Sequence, residues 1–292
     1  MSIANFLYSF LPKETFIKLR KLYYSAVSII YKPLTEENFK TILENKLGIT
    51  NGKVVFVHSS IDKMNLGFPT YKVLSILLDI VGPQGTLLFP AWQYKGRAID
   101  YLEKNPEKIF DVIKTPTAMG LLPEIARRHK MALRSLHPTS SIVAIGKHAE
   151  ALISTHHLSV YPCGALSPYY KMLKYDSAII GLGEKTVSLS FVHCIENIMK
   201  DQFPIKTLQE TPFRFNVKDY IGNIIEVKTM IPYKAIQNRN IPGYMKKHIS
   251  KTICKSIKYR GSNYFVADTK KLYDRMLELA KDNITIYELQ EH

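Results

Sequence analysis

The chain has 292 residues and a formal charge of +15, with 46% hydrophobic and 22% charged residues, the balance of an ordinary soluble globular protein. No window nears the roughly 18 uninterrupted apolar residues of a membrane span. Cys163, Cys194 and Cys254 form no C-x-x-C pair, which argues against a disulfide scaffold or zinc ribbon and fits a reducing, cytoplasmic compartment.

Residues 1–34 stand apart in composition. Phe6, Leu7, Phe10, Leu11, Ile17 and Leu22 mix with Lys13, Lys18, Arg20 and Lys21, and Glu14 is the one acid. This predicts a basic amphipathic helical extension that either packs on the protein body or lies on the inner face of an anionic membrane. A single domain is expected over residues 35–292. No clean apolar core followed by small residues marks a secretory signal.

From Thr35 onward helices and strands alternate. Thr35-Glu36-Glu37-Asn38 reads as a helix cap, with the helix stopping near Gly48. Val54–Val57 is continuously apolar, the pattern of a strand buried on both faces. A helix over Tyr71–Val81 ends at Gly82-Pro83, and Thr86–Phe89 is the next buried strand. A helix over Met119–Arg128, strands over Ser141–Ile145 and Ser177–Gly181, and a helix over Phe191–Lys200 continue the series. After Phe203 strands and loops dominate, before a last helix over Lys270–Lys281. The expectation is an α/β layered fold, a central mixed sheet flanked by helices, with ligands at strand ends.

Residues 234–260 hold eight Lys/Arg and no acid. Such a run is either a solvated surface or an anion-contacting arm beside an active site. The charge as a whole attracts anions, namely nucleic acid, a membrane surface or a phosphate-bearing small molecule, and it disfavours polycations. No RNA- or DNA-binding module is recognisable, so nucleic acid is not an expected partner. A non-catalytic membrane- or nucleic-acid-binding protein would explain the charge but not the motifs that follow.

Six motifs occur in order: Val57–Ser60 (Val-His-Ser-Ser), Gly82–Pro90, Thr115–Glu124 (Thr-Pro-Thr-x-Met-Gly-x-Leu-Pro-Glu), Arg134–Ser141 (Arg-Ser-x-His-Pro-Thr-x-Ser), Pro162–Pro168 and His193–Glu196. Singly they have structural explanations. Together the series resembles the aminoglycoside 3-N-acetyltransferase family, well over residues 35–200 and loosely beyond. The resemblance implies an acetyl-CoA-dependent N-acyltransferase with an amino-sugar acceptor, and no metal is expected. Members often carry a second histidine after His-Pro-Thr. This chain has Ser140 there, which leaves that role lost or reassigned.

Acetyl transfer needs a neutral amine, and a histidine suits the removal of its proton. His137 is the first choice of base and His193 the reserve, with Glu196 or Glu124 orienting an imidazole. Ser59, Ser60 and Ile61, at a strand end, are expected to hold coenzyme A through backbone amides, with Thr117, Met119, Gly120, Arg134 and Ser135 nearby. Ser135 or Ser141 is the expected oxyanion donor, and Asp111, Trp92 and Ser141 are assigned to the acceptor. Cys163 offers an acyl-cysteine alternative. Because an aminoglycoside is polycationic, the net charge points instead to a nucleotide- or lipid-linked amino sugar of surface-glycan biosynthesis. The antibiotic substrate is the alternative.

Overall fold

The structure, a computed structural model, describes residues 29–233 and 239–287, together with Glu14, Thr15, Lys18, Leu19 and Leu22. The amphipathic helix read over residues 1–34 thus lies largely outside the described residues. Leu34, at its end, is buried and donates its N–H to the Asn65 carbonyl.

Among the described residues there are ten strands: β1 (Val54–Ser59), β2 (Thr86–Pro90), β3 (Phe110–Asp111), β4 (Leu133–Arg134), β5 (Ile142–Gly146), β6 (Ser177–Leu182), β7 (Phe213–Lys218), β8 (Ile224–Thr229), β9 (Cys254–Tyr259) and β10 (Ser262–Asp268). Seven make one sheet in the order β4-β5-β2-β1-β6-β10-β9. Its centre, β2-β1-β6, is parallel and its flanks are antiparallel. The sheet is mixed, as expected.

The apolar run of β1 is explained by its two covered faces. Val54 and Phe56 enter one core, against the helices His193–Met199 and Thr269–Lys281. Val55 and Val57 enter the other, against the helices Glu36–Thr41, Tyr71–Val81 and Leu121–Arg127. Alternate side chains point to opposite faces, so a strand between two layers has no polar side. The Thr35 side chain caps its helix by accepting from the Asn38 N–H, at 3.2 Å. Gly82, at φ +62°, ends the helix Tyr71–Val81 in the left-handed region that its lack of a Cβ allows.

Both sheet edges are blunted. The edge strand β4 has two residues, and β9 exposes Lys255 and Lys258. Lysines on an edge oppose pairing with another chain, which gives part of the basic run a structural task. Lys246 and Lys247 belong to the last turn of the helix Ile241–His248, where they complement its carbonyl end.

A smaller sheet, β3-β7-β8, has its own core of Phe110, Val112, Phe215, Val217 and Val227. It is tied to the main body where Tyr220 Oη donates to the Arg134 carbonyl (2.9 Å) and where Thr229 meets Thr139 (3.1 Å). These ties bring Met230 and Pro232, just past β8, into the wall of the cavity described next.

Candidate active site

Parallel strands leave a crevice beyond their carboxyl ends, where loops diverge. Here β1 delivers His58 and Ser59, the residues after β2 deliver Trp92, and those after β6 deliver Glu184 and Ser190. All line one cavity of about 670 Å³. Met119, Ser140, Cys163, His193, Glu196 and Arg239 line it as well.

His193 and Glu196 share a helical face at the spacing of i and i+3, and His193 Nδ1 lies 2.8 Å from Glu196 Oε1. Glu196 is buried, 4% exposed, and also accepts from Tyr287 Oη at 3.0 Å. A carboxylate so fixed takes the Nδ1 proton as its partner. That leaves Nε2 as the basic nitrogen, pointed at the cavity. Arg239 Nη1 stands 2.9 Å from that Nε2.

His137 lies elsewhere. It is fully buried, does not line the cavity, and stacks on His156 at a ring separation of 4.4 Å. Its Nδ1 accepts the Ser140 N–H at 3.3 Å, and its Nε2 is buried without a partner among the described residues. Burial, then the neighbouring His156 and His157, holds it well below the usual histidine range. This is a histidine of the core, whereas His193, the reserve choice of base, lines the cavity. Apolar periodicity could not reveal this, because a loop motif carries no period.

The other expected contacts divide. Ser59, Met119 and Trp92 reach the cavity. Ser59 Oγ is buried with no partner among the described residues, on a residue that lines the cavity. The Ser60 amide, by contrast, is taken by the Leu182 carbonyl at 2.8 Å. Any grip by the Ser59–Ile61 loop must therefore use other groups than that amide. Gly120 has φ +117°, and a Cβ there would stand 3.8 Å from the Ser59 carbonyl, so the two motifs face each other. Thr117 shapes the second loop by donating from its hydroxyl to the Trp92 carbonyl (3.1 Å) while accepting the Met119 N–H (3.1 Å).

Glu124 does not approach His193. It accepts the Thr117 N–H at 3.0 Å and is paired with Arg127 and Arg128, with Arg127 first among the causes that hold its carboxyl down at about 2. Its task is to brace the Thr117–Gly120 loop. Asp111 accepts from the backbone N–H groups of Ile113 and Lys114, a turn cap outside the cavity.

Arg134, Ser135 and Ser141, expected around the cofactor, acceptor or oxyanion, also have structural partners. Arg134 is 3% exposed, stacks over the Phe110 ring at 4.5 Å, and donates to the carbonyls of Ala91 and Thr115 and to Ser141 Oγ. Burial draws it down to about 9, so it remains charged at neutral pH. Ser135 Oγ bonds His156 Nδ1 (2.9 Å) and accepts from the Ile142 N–H (3.0 Å). Arg134→Ala strands the carbonyls of Ala91 and Thr115. It is expected to cost roughly 3 kcal/mol or more in urea unfolding, a loss that a merely solvent-facing arginine would not produce.

Cys163 lines the cavity, but burial, with Cys194 and Glu196 adding to it, pushes its thiol well above the ordinary range. A thiol kept protonated is a poor nucleophile. Among the described residues no group of three His, Cys, Asp or Glu stands together as a metal site, and no helix is long and apolar enough to cross a membrane. Sequence reasoning missed His58 as a cavity residue and Arg239 as the neighbour of His193. The only signal for Arg239 was its place in the acid-free basic run.

A family model described as aminoglycoside 3-N-acetyltransferase matches residues 56–280. Aminoglycoside N(3)-acetyltransferase IX of Micromonospora chalcea is 27% identical over 176 residues, covering 56% of this chain and 62% of that protein. Aminoglycoside N(3)-acetyltransferase III of Pseudomonas aeruginosa is 28% identical over 166 residues, covering 53% and 60%. The chain thus spans less than two thirds of the length of these relatives. The crystal structure of aminoglycoside acetyltransferase AAC(3)-Xa superposes with a TM-score of 0.75 at 20% identity, covering 91% of this chain and 99% of that one. A binary complex of AAC-IIIb with CoASH gives a TM-score of 0.70 at 18% identity, covering 87% and 99%. At these identities the two structures carry the fold.

Proposed function

The chain belongs to the aminoglycoside 3-N-acetyltransferase family, and from that membership we propose that it transfers the acetyl group of acetyl-CoA to an amino group of an amino sugar. The observation that carries this reading is the carboxylate-oriented imidazole of His193 in a cavity at the parallel strand ends. In this chemistry His193 Nε2 takes a proton from the acceptor's nitrogen as that nitrogen bonds to the thioester carbonyl carbon. Glu196 keeps the ring in one tautomer and stabilises the imidazolium that forms. The carbon–sulfur bond then breaks, and His193 is placed to return the proton to the departing thiolate. Ser140, where relatives often have a histidine, offers a hydroxyl on the cavity wall but no base.

Acetyl-CoA supplies the activated acetyl group. The unsatisfied Ser59 hydroxyl, with Ser60 and Ile61 beside it and the Met119–Gly120 loop opposite, supports this side of the cavity as the thioester's seat. A relative's structure with CoASH bound supports the same cosubstrate. Cys163 and Cys194 are buried free thiols, which supports a reducing compartment as the place of work.

The relatives' names favour an aminoglycoside acceptor. A second reading, a nucleotide- or lipid-linked amino sugar of surface-glycan synthesis, draws on charge. Among the described residues only two carboxylates line the cavity, and both have partners: Glu184 accepts from Lys63 at 2.7 Å, and Glu196 is held as above. A polycation would find little there to neutralise it.

Mass spectrometry of acetyl-CoA incubated with the protein and a panel of amino sugars tests the reaction. Acetylated amine with matching release of CoA thiol is expected. No acetylated product from any acceptor, together with no calorimetric heat from CoA at millimolar concentration, would sink it.

A further inference from the structure

The nitrogen that must accept the proton is already occupied. Glu196 holds the Nδ1 side of His193 at 2.8 Å, and Arg239 sits 2.9 Å from Nε2, where its guanidinium can only donate. An imidazole whose lone pair receives an arginine N–H cannot receive an amine's proton as well. The contact is held from the backbone: Arg239 forms an isolated antiparallel bridge with Tyr287, and the hydroxyl of Tyr287 bonds Glu196. Two bridged residues, Arg239 and Tyr287, therefore hold the two ends of the dyad. The Arg239 residue is exposed, at the cavity's rim, so its guanidinium can swing to a ligand without disturbing a packed core.

Something must draw it away. Neither lining carboxylate is placed to do so, since Glu184 is paired with Lys63 and Glu196 lies behind the imidazole. We propose that the acceptor's own anionic group does it: Arg239 caps the base in the free enzyme and uncaps it by turning to a phosphate-class anion on the amino sugar. This rests on the acetyltransferase reading and adds to it a specificity-determining residue and a class of acceptor. Arginine is suited to the task because its planar fork binds phosphate through two parallel N–H bonds, a stronger contact than the single bond to a neutral imidazole. A polycationic acceptor brings nothing to hold Arg239 and adds repulsion, so the base stays capped.

The test compares glucosamine 6-phosphate, glucosamine and kanamycin as acceptors for the wild-type enzyme, Arg239→Ala and Arg239→Gln. The wild type is expected to favour the phosphorylated sugar over glucosamine in kcat/KM by roughly 10- to 100-fold, the scale of a hydrogen bond to a charged group. In both variants that ratio is expected to collapse toward one. A wild-type ratio near one, a ratio that survives in both variants, or a higher kcat/KM for kanamycin than for the phosphorylated sugar would each overturn the proposal while leaving the acetyltransferase reading intact. Acetylation of none of the three, with no CoA binding by calorimetry, would remove the reading beneath it and the proposal with it.

Discussion

His193→Ala is expected to lower kcat for acetyl transfer by roughly 10²–10⁴-fold, the usual scale of lost general-base assistance, with kcat/KM falling in step. The two fall together because the proton moves only as the transition state forms, so ground-state binding of either substrate does not feel the loss. Glu196→Gln is expected to fall between this variant and the wild type. A glutamine oxygen can still accept from His193 Nδ1 and from Tyr287, but it carries no charge to balance an imidazolium. His137→Ala should behave differently: it removes a buried ring stacked on His156 and is expected to lower stability more than turnover. Cys163→Ala should keep most of the activity, because burial holds that thiol protonated. Turnover kept by His193→Ala but lost by a well-folded His137→Ala would reverse the assignment of the base.

The fold was legible where periodicity and punctuation agree. The apolar run Val54–Val57 became the central strand β1, and the Thr35 cap and the Gly82 stop fell where expected. Single residues in loops were not legible. Arg134, at the end of β4, and His137, in the loop after it, belong to a polar motif with the pattern of a ligand site, yet Arg134 packs on Phe110 of the small sheet and His137 stacks on His156. The hydrogen bond from Tyr220 to Arg134 spans 86 residues, and no local pattern announces a partner that distant. His193 and Glu196 were readable as neighbours because helical geometry fixes i and i+3. Their importance came from the cavity, which loops after β1, β2 and β6 create only once those strands lie side by side. The net charge of +15 divides among several tasks, an edge strand, a helix end and the rim residue Arg239, so it was a poor guide to any one of them.

Acid is expected to begin destabilising the protein from about pH 6.5 downward, before most carboxylates titrate. His58, His137 and His156 are buried and neutral. Burial lowers His58 from 6.5 to about 3 and His156 likewise to about 3, and it holds His137 well below 6.5. In each case the folded pKa lies below the unfolded one, so the unfolded chain binds more protons as pH drops. The stability is therefore full above about 6.5 and is lost as pH falls from there toward 3. Each histidine contributes a slope of at most about 1.4 kcal/mol per pH unit, and three acting together reach about 4. Against a typical total of roughly 5–15 kcal/mol, a slope of that order is large enough to be read directly in unfolding experiments below pH 6.5. Glu124 acts in a lower window: Arg127 depresses its pKa from 4.5 to about 2, so its contribution persists until the pH has dropped below 4.5. Urea unfolding at pH 7, 6 and 5 separates the two. A steep loss already between pH 6 and 5 reports the histidines, and a flat profile down to pH 5 would mean that these rings are solvated in the native protein.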